Sequence, residues 1–195
     1  MKQVIADSTF YILFYNDICD TKSLYHILKK YDMHIGKRLK YELRNHISKD
    51  SKFLSLINDK ELDVDFGELL KNFYEFLLIE YPGSVKDIND GEYEVMGISY
   101  LFKQNGSLDY LIIDDKYAYN FVINNLSFIK ENLVRTIGFL NNGCKKDKTL
   151  EINFVRHILK SIEKSIDNGK NPLYITKDVW NKEIKPTILD LMEEN

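Results

Sequence analysis

The sequence predicts an α/β fold built on a parallel sheet, and three observations carry that prediction. Short apolar runs alternate with amphipathic stretches of helical length, the pattern of a parallel sheet with helical crossovers. The run from Leu108 to Ile113 is apolar enough for a central strand buried on both faces. Asp114 and Asp115 follow it directly, at the strand end where open α/β sheets hold their ligands.

The elements follow in order. Residues 3–6 predict a short strand, and 9–30 are mostly helical with a break near Asp20-Thr21. Met33-His34-Ile35 is a second short strand, followed by a helix over 37–47 with Leu39, Leu43 and Ile47 at fourfold spacing. Residues 50–58 read as helix and Leu62-Asp63-Val64 as a strand candidate. A helix over 68–80 places Leu69, Leu70, Phe73, Phe76 and Leu77 on one face, and Pro82-Gly83 closes that unit. Gly91 opens a helix over 91–104 and Asn105-Gly106 ends it.

Past residue 125 the punctuation becomes denser, with Asn124-Asn125, Asn141-Asn142-Gly143 and a solvated turn at Lys145-Lys146-Asp147-Lys148. A helix over 151–166 aligns Val155, Ile158, Leu159, Ile162 and Ile166 in one stripe, read as core with a partner surface as the alternative. Residues 171–195 read as a loop and a final helix broken at Pro186. The expected organisation is a main unit over 1–145 and a helical C-terminal extension over 146–195 packed on it.

Composition excludes several classes. The 195 residues suffice for one domain with a real core, and 44% are hydrophobic. A formal charge of −3 argues against holding nucleic acid by bulk electrostatics, so any polymer contact must be local. Cys19 and Cys144 stand far apart without zinc-ligand spacing, which points to buried free thiols. His26, His34, His46 and His157 form no ligand pattern. The N-terminal segment carries Asp7 and Asp17, unlike a signal peptide, and no apolar run approaches the roughly 20 residues that span a bilayer. The expected location is the cytoplasm.

The informative feature is the recurrence of acids at element ends. Asp7 closes Val4-Ile5-Ala6, Glu92 and Glu94 stand at the opening of the helix after Gly91, and Asp114-Asp115 end the clearest strand. Gathered in one cleft, such carboxylates repel one another and call for divalent metal. At about 100° per residue, Glu92 shares a helix face with Val95, Met96 and Ser99, whereas Glu94 points to the opposite side. Glu42 lies about 60° from Leu39, at the edge of its helix's apolar stripe. Each acid also has a structural reading: Asp7 as a helix N-cap, Glu42 as a solvated charge, Glu92 as complement to a helix dipole, and Asp114-Asp115 as caps of the helix near Lys116.

Taken together these segments resemble the PIN-domain nucleases, in the branch of short prokaryotic proteins that carry a GExEA helix and an hhhDDxxAR strand end. The matching stretches are V-I-A-D-S-T at 4–9, K-R-L-K-Y-E-L at 37–43, D-G-E-Y-E-V-M-G-I-S at 90–99, L-I-I-D-D-K-Y-A-Y at 111–119 and V-R-T-I-G-F-L at 134–140, in the family's order over residues 3–145. The resemblance implies a three-layer α/β/α fold around a short twisted parallel sheet. It also implies Asp7, Glu42, Glu92 and Asp115 as the catalytic and metal-binding quartet, with Asp114 as an auxiliary ligand. Two positions depart from the pattern: Tyr119 stands where the branch often has Arg, and Arg135 where it often has Gly.

The implied chemistry is hydrolysis of a phosphodiester, in RNA first and DNA second. Carboxylates are hard ligands for Mg²⁺ or Mn²⁺, and two such ions serve attacking water and leaving oxygen. Lys37, Arg38, Lys40, Lys130, Arg135, Lys145, Lys146 and Lys148 are candidates for phosphate contacts, and Tyr93, Tyr117 and Tyr119 for base stacking, with a solvated surface or core role as the alternative. The family implies a toxin held by a small antitoxin, or a stand-alone defence nuclease, and a homodimer. The competing expectation is a non-catalytic module of the same fold that binds RNA or a protein partner. An aspartyl-phosphate enzyme fits poorly, because the first strand offers only Asp7-Ser8-Thr9, and a P-loop or dinucleotide enzyme lacks its glycine motif.

Overall fold

A computed structural model describes residues 1–47, 50–60, 62, 67–81 and 90–193. Strand β1 (Gln3–Ala6) leads into α1 (Ser8–Ile12), which continues as a π-helical turn over Leu13–Asp17. The expected break follows: Cys19 adopts a positive φ of 52°, and Asp20 caps α2 (Thr21–Lys30) by accepting the Ser23 N–H at 3.2 Å. Cys19 is exposed in that turn and Cys144 half-buried, so neither is the buried thiol the sequence suggested. Next come β2 (Asp32–His34), α3 (Lys37–His46), α4 (Ser51–Asp59), α5 (Gly67–Glu80) and α6 (Asp90–Gln104). Then β3 (Leu108–Ile112), α7 (Lys116–Asn125), α8 (Ser127–Lys130), β4 (Leu133–Val134) and α9 (Thr136–Lys145) complete the sheet and its covering.

Among the described residues, four strands run parallel in the order β2-β1-β3-β4. From β1 the chain moves outward to β2, then crosses back over β1 to β3 and on to β4. With right-handed crossovers, that reversal puts helices on both faces of the sheet. On one face α6 packs across β1 and β3. On the other, Phe139 of α9 meets the rings of Tyr31 at 4.8 Å, Tyr110 of β3 at 5.5 Å and Phe10 of α1 at 6.0 Å. β4 was not anticipated, since two residues carry no alternation or length signal. At the strand candidate Leu62-Asp63-Val64, the Leu62 N–H bonds Ile35 O and the Ile35 N–H bonds Lys60 O, both at 3.1 Å. The rest of the strand candidate, Asp63-Val64, and the break at Pro82-Gly83 lie outside the described residues.

Helix α5 departs from its expected face. Phe73 and Leu77 are buried, but Phe76 is 43% exposed, together with Tyr74, Leu78 and Ile79; the side chains of Leu69 and Leu70 lie outside the described set. In contrast, the stripe on α10 (Ile152–Asp167) is core: Val155, Ile158, Leu159, Ile162 and Ile166 are all buried. They join the same hydrophobic cluster as the sheet residues. A turn at Pro172–Tyr174 leads to α11 (Lys177–Val179), a π-helical turn over Trp180–Ile184, a 3-10 turn over Lys185–Ile188 containing Pro186, and α12 (Leu189–Met192). Trp180 is buried, and its indole N–H and Lys185 both reach Glu163. Among the described residues no helix is long and apolar enough to cross a membrane.

Candidate active site

The strand order reverses between β1 and β3, and in open α/β sheets the crevice at the carboxyl ends of such a strand pair is where ligands bind. Asp7 leaves β1 there and Asp114 leaves β3. The ladder extends just far enough to fix both: Asp7 N–H bonds Ile112 O at 3.0 Å, and Ile113 N–H bonds Val134 O at 3.1 Å. Asp7 Oδ2 then accepts the Asp114 N–H at 2.9 Å, while its Oδ1 accepts the Phe10 N–H at 3.1 Å. Asp114 in turn accepts the Thr136 N–H at 3.1 Å on Oδ1 and the Thr136 hydroxyl at 2.5 Å on Oδ2.

Both carboxyls are buried, and the consequence is electrostatic. Burial, then the Asp114 charge, then Glu92 push the Asp7 carboxyl far above the carboxylate range, to about 8, against the pull of its two N–H donors. Burial also raises Asp114, to about 6, while Thr136 and Arg135 hold it down. Desolvated neighbouring like charges disfavour joint ionisation. Tyr11, buried nearby, has its phenol pushed up by burial and by the Asp7 charge.

Of the remaining acids, only Glu92 is shown acting on this pair. Glu92 is half-buried and within electrostatic reach of Asp7. Glu42 is half-buried, with its carboxylate lying over the Cα of Gly91, so close that a Cβ there would stand 2.3 Å from Oε1. Asp115 caps α7, its Oδ1 accepting the N–H groups of Tyr117 at 2.8 Å and Ala118 at 2.9 Å. The structural reading is borne out for Asp7 and Asp115: each caps the helix that follows its strand end. Helix N-termini carry partial positive charge, and those of α1, α7 and α9 all meet a carboxylate here.

Glu94 corrects the helical-wheel expectation. It does not point away but is 3% exposed, bonded to the N–H groups of Arg38 and Leu39. From Tyr93 to Ser99 every residue of α6 is buried, so the helix has no solvent face there and a single inward stripe is the wrong description. The readable signal was the apolar density of Val95–Ile98. Thr136 was also missed, because its role depends on β4 bringing the start of α9 beside Asp114.

The two departures, Tyr119 and Arg135, form one unit. The Arg135 guanidinium lies 4.3 Å from the Tyr119 ring centroid and donates to Asp114 O at 2.7 Å. This stack uses one face of Tyr119, which therefore does not serve as an open platform for a base on that face. Among the other basic residues, Lys37, Arg38 and Lys40 lie on the helix that follows the carboxyl end of β2. Lys130 precedes β4, and Lys145 ends, and Lys146 and Lys148 follow, a helix about 15 Å long that begins at Thr136, so these four belong to the opposite end of the sheet. Lys145 is there paired with Asp190, and Asp147 with Lys2 and Tyr110. They do not border the acidic pair.

For a divalent cation the donor chemistry fits: the cluster is all oxygen, partly desolvated and mutually repelling. Among the described residues, no three His, Cys, Asp or Glu side chains converge as a ready-made ion cage. No known protein family, curated protein or solved structure matches the chain.

Proposed function

We propose that the chain is a PIN-like, Mg²⁺- or Mn²⁺-dependent nuclease that hydrolyses phosphodiesters in RNA, with DNA as a second substrate, in the cytoplasm. The observation that carries the reading is the buried Asp7–Asp114 contact at the point where the strand order reverses, with Glu92 within electrostatic reach of Asp7. Acids without catalytic use are rarely buried against each other, because each raises the cost of ionising the next. Asp7, Glu42, Glu92 and Asp115 are the proposed catalytic acids, with Asp114 as a further ligand. Bound divalent metal supplies Lewis-acid activation of water and charge neutralisation at the scissile phosphate.

The chain's own residues do the rest. The N–H groups of Phe10 and Asp114 orient Asp7, and the N–H and hydroxyl of Thr136 orient Asp114, so the carboxylates are preorganised by backbone donors and one short side chain. Arg135, held by Tyr119 and Asp114 O, supplies a cation at the crevice for backbone phosphate.

A second reading, a non-catalytic module of the same fold that binds a protein partner, is favoured by one observation. Helix α5 exposes Tyr74, Phe76, Leu78 and Ile79, and Phe73 and Phe76 line a cleft of about 400 Å³ against Tyr100 and Phe128. A small antitoxin or other regulatory protein, or a second copy, is the kind of partner such a face would take. The test incubates wild type and Asp7→Asn/Asp115→Asn protein with labelled single-stranded RNA and DNA in Mn²⁺, Mg²⁺ or EDTA. Metal-dependent cleavage by wild type alone supports the nuclease; no cleavage by folded, metal-loaded wild type favours the module.

A further inference from the structure

Helices α3 and α6 interlock through two reciprocal glycine–glutamate contacts. Gly36 is the N-cap of α3 and has no side chain with which to cap it. The cap comes instead from α6: Glu94 Oε1 accepts the Arg38 N–H at 3.0 Å and Oε2 accepts the Leu39 N–H at 2.9 Å. The approach is so close that a Cβ on Gly36 would lie 2.2 Å from the Glu94 carboxyl carbon. The second contact runs the other way, with Glu42 of α3 lying over Gly91 of α6. Glu42 is one helical turn beyond Arg38, so whatever fixes the first turn of α3 fixes the height at which Glu42 reaches Gly91 and the neighbouring Glu92.

We propose that Glu94 is a positioning residue: it caps α3 from α6 and thereby sets how Glu42 is presented to the first turn of α6, where Glu92 follows Gly91. The proposal rests on the nuclease reading for its kinetic consequence but not for its structural one. A carboxylate suits the task because both oxygens accept and its charge complements the helix N-terminus. Glutamine keeps the volume but turns an NH₂ group toward one of two N–H donors.

The experiment compares wild type, Glu94→Gln, Gly36→Ala and the double variant Gly36→Ala/Glu94→Asp. Two quantities are read: the carboxyl ¹³C resonance of Glu42 at fixed pH, and kcat and KM for RNA cleavage in Mn²⁺. Glu94→Gln is expected to move the Glu42 resonance and to lower kcat about 10²-fold with KM little changed, the effect of a misplaced group in the transition state. Gly36→Ala drives its methyl into the Glu94 carboxylate, and shortening that side chain to aspartate withdraws it, so the double variant should recover part of what the single one loses.

An unmoved Glu42 resonance with unchanged kcat in Glu94→Gln overturns the proposal and leaves Glu94 as a stabilising cap only. Should Glu94→Gln fail to fold, absence of any recovery in the double variant overturns it equally. If wild type cuts neither polymer, the nuclease reading falls, while the Glu42 resonance still decides the role of Glu94.

Discussion

Asp7 and Asp114, 107 residues apart, are joined by a 2.9 Å hydrogen bond from the Asp114 N–H to Asp7 Oδ2, and both carboxyls are buried. The bond ties the exits of β1 and β3 together at the point where the strand order reverses. It also places a group that resists ionisation at the centre of the acidic cluster.

The first prediction concerns pH. The folded state holds the Asp7 proton more tightly than the unfolded chain, whose carboxyl titrates near 3.8, so between that value and about 8 folding is linked to an extra bound proton. This contribution is present at low pH and is lost as pH rises through the folded value. In EDTA, the wild-type unfolding midpoint should fall from pH 5 to pH 8 more than that of Asp7→Asn. Mn²⁺ should restore wild type more at pH 8 than at pH 5; equal slopes for the two proteins would contradict the assignment.

Thr136 supplies two donors to Asp114, and only one belongs to its side chain. Thr136→Val should cost about 1–3 kcal/mol in urea unfolding, the penalty of leaving a buried acceptor short of a partner. Thr136→Ser keeps the hydroxyl and should recover most of it.

Arg135 joins Tyr119 and Asp114 O through a planar group that lysine lacks. Arg135→Ala should weaken binding of single-stranded RNA and reduce the slope of log affinity against log salt by about 1, read by fluorescence anisotropy. Arg135→Lys should keep the salt slope yet lose affinity, whereas Tyr119→Phe should change neither. An unaltered slope in Arg135→Ala would remove this residue from the phosphate path.

The core and the α5 surface should respond oppositely to truncation. Phe139 is fully buried among Phe10, Tyr31 and Tyr110, so Phe139→Ala should cost about 3–5 kcal/mol by denaturant unfolding. Ile79 is 76% exposed, and Ile79→Ser should stay within about 0.5 kcal/mol.

Much of the molecule was legible in the chain because its signals are local. Apolar runs marked β1 and β3, fourfold spacing marked α3 and α10, and Asp20-Thr21 marked the break before α2. The positions of Asp7 and Asp114-Asp115 at strand ends were readable for the same reason: a strand end and a cap are decided within a few residues. β4 was not readable, since two residues become a strand only by pairing with β3. Glu94 was misassigned because a helical wheel presumes one buried side, whereas α6 lies against β1 and β3 and also against α3, α5 and α8.

The sequence by itself determined that this is an α/β chain with acids at its element ends, because backbone periodicity and capping chemistry act over short spans. Only the tertiary structure decided which acids meet. The strand order brings Asp7 to Asp114, the paired glycines admit Glu42 and Glu94 between α3 and α6, and β4 delivers Thr136. Each of these is a contact across long stretches of chain, governed by packing and burial rather than by the residues on either side.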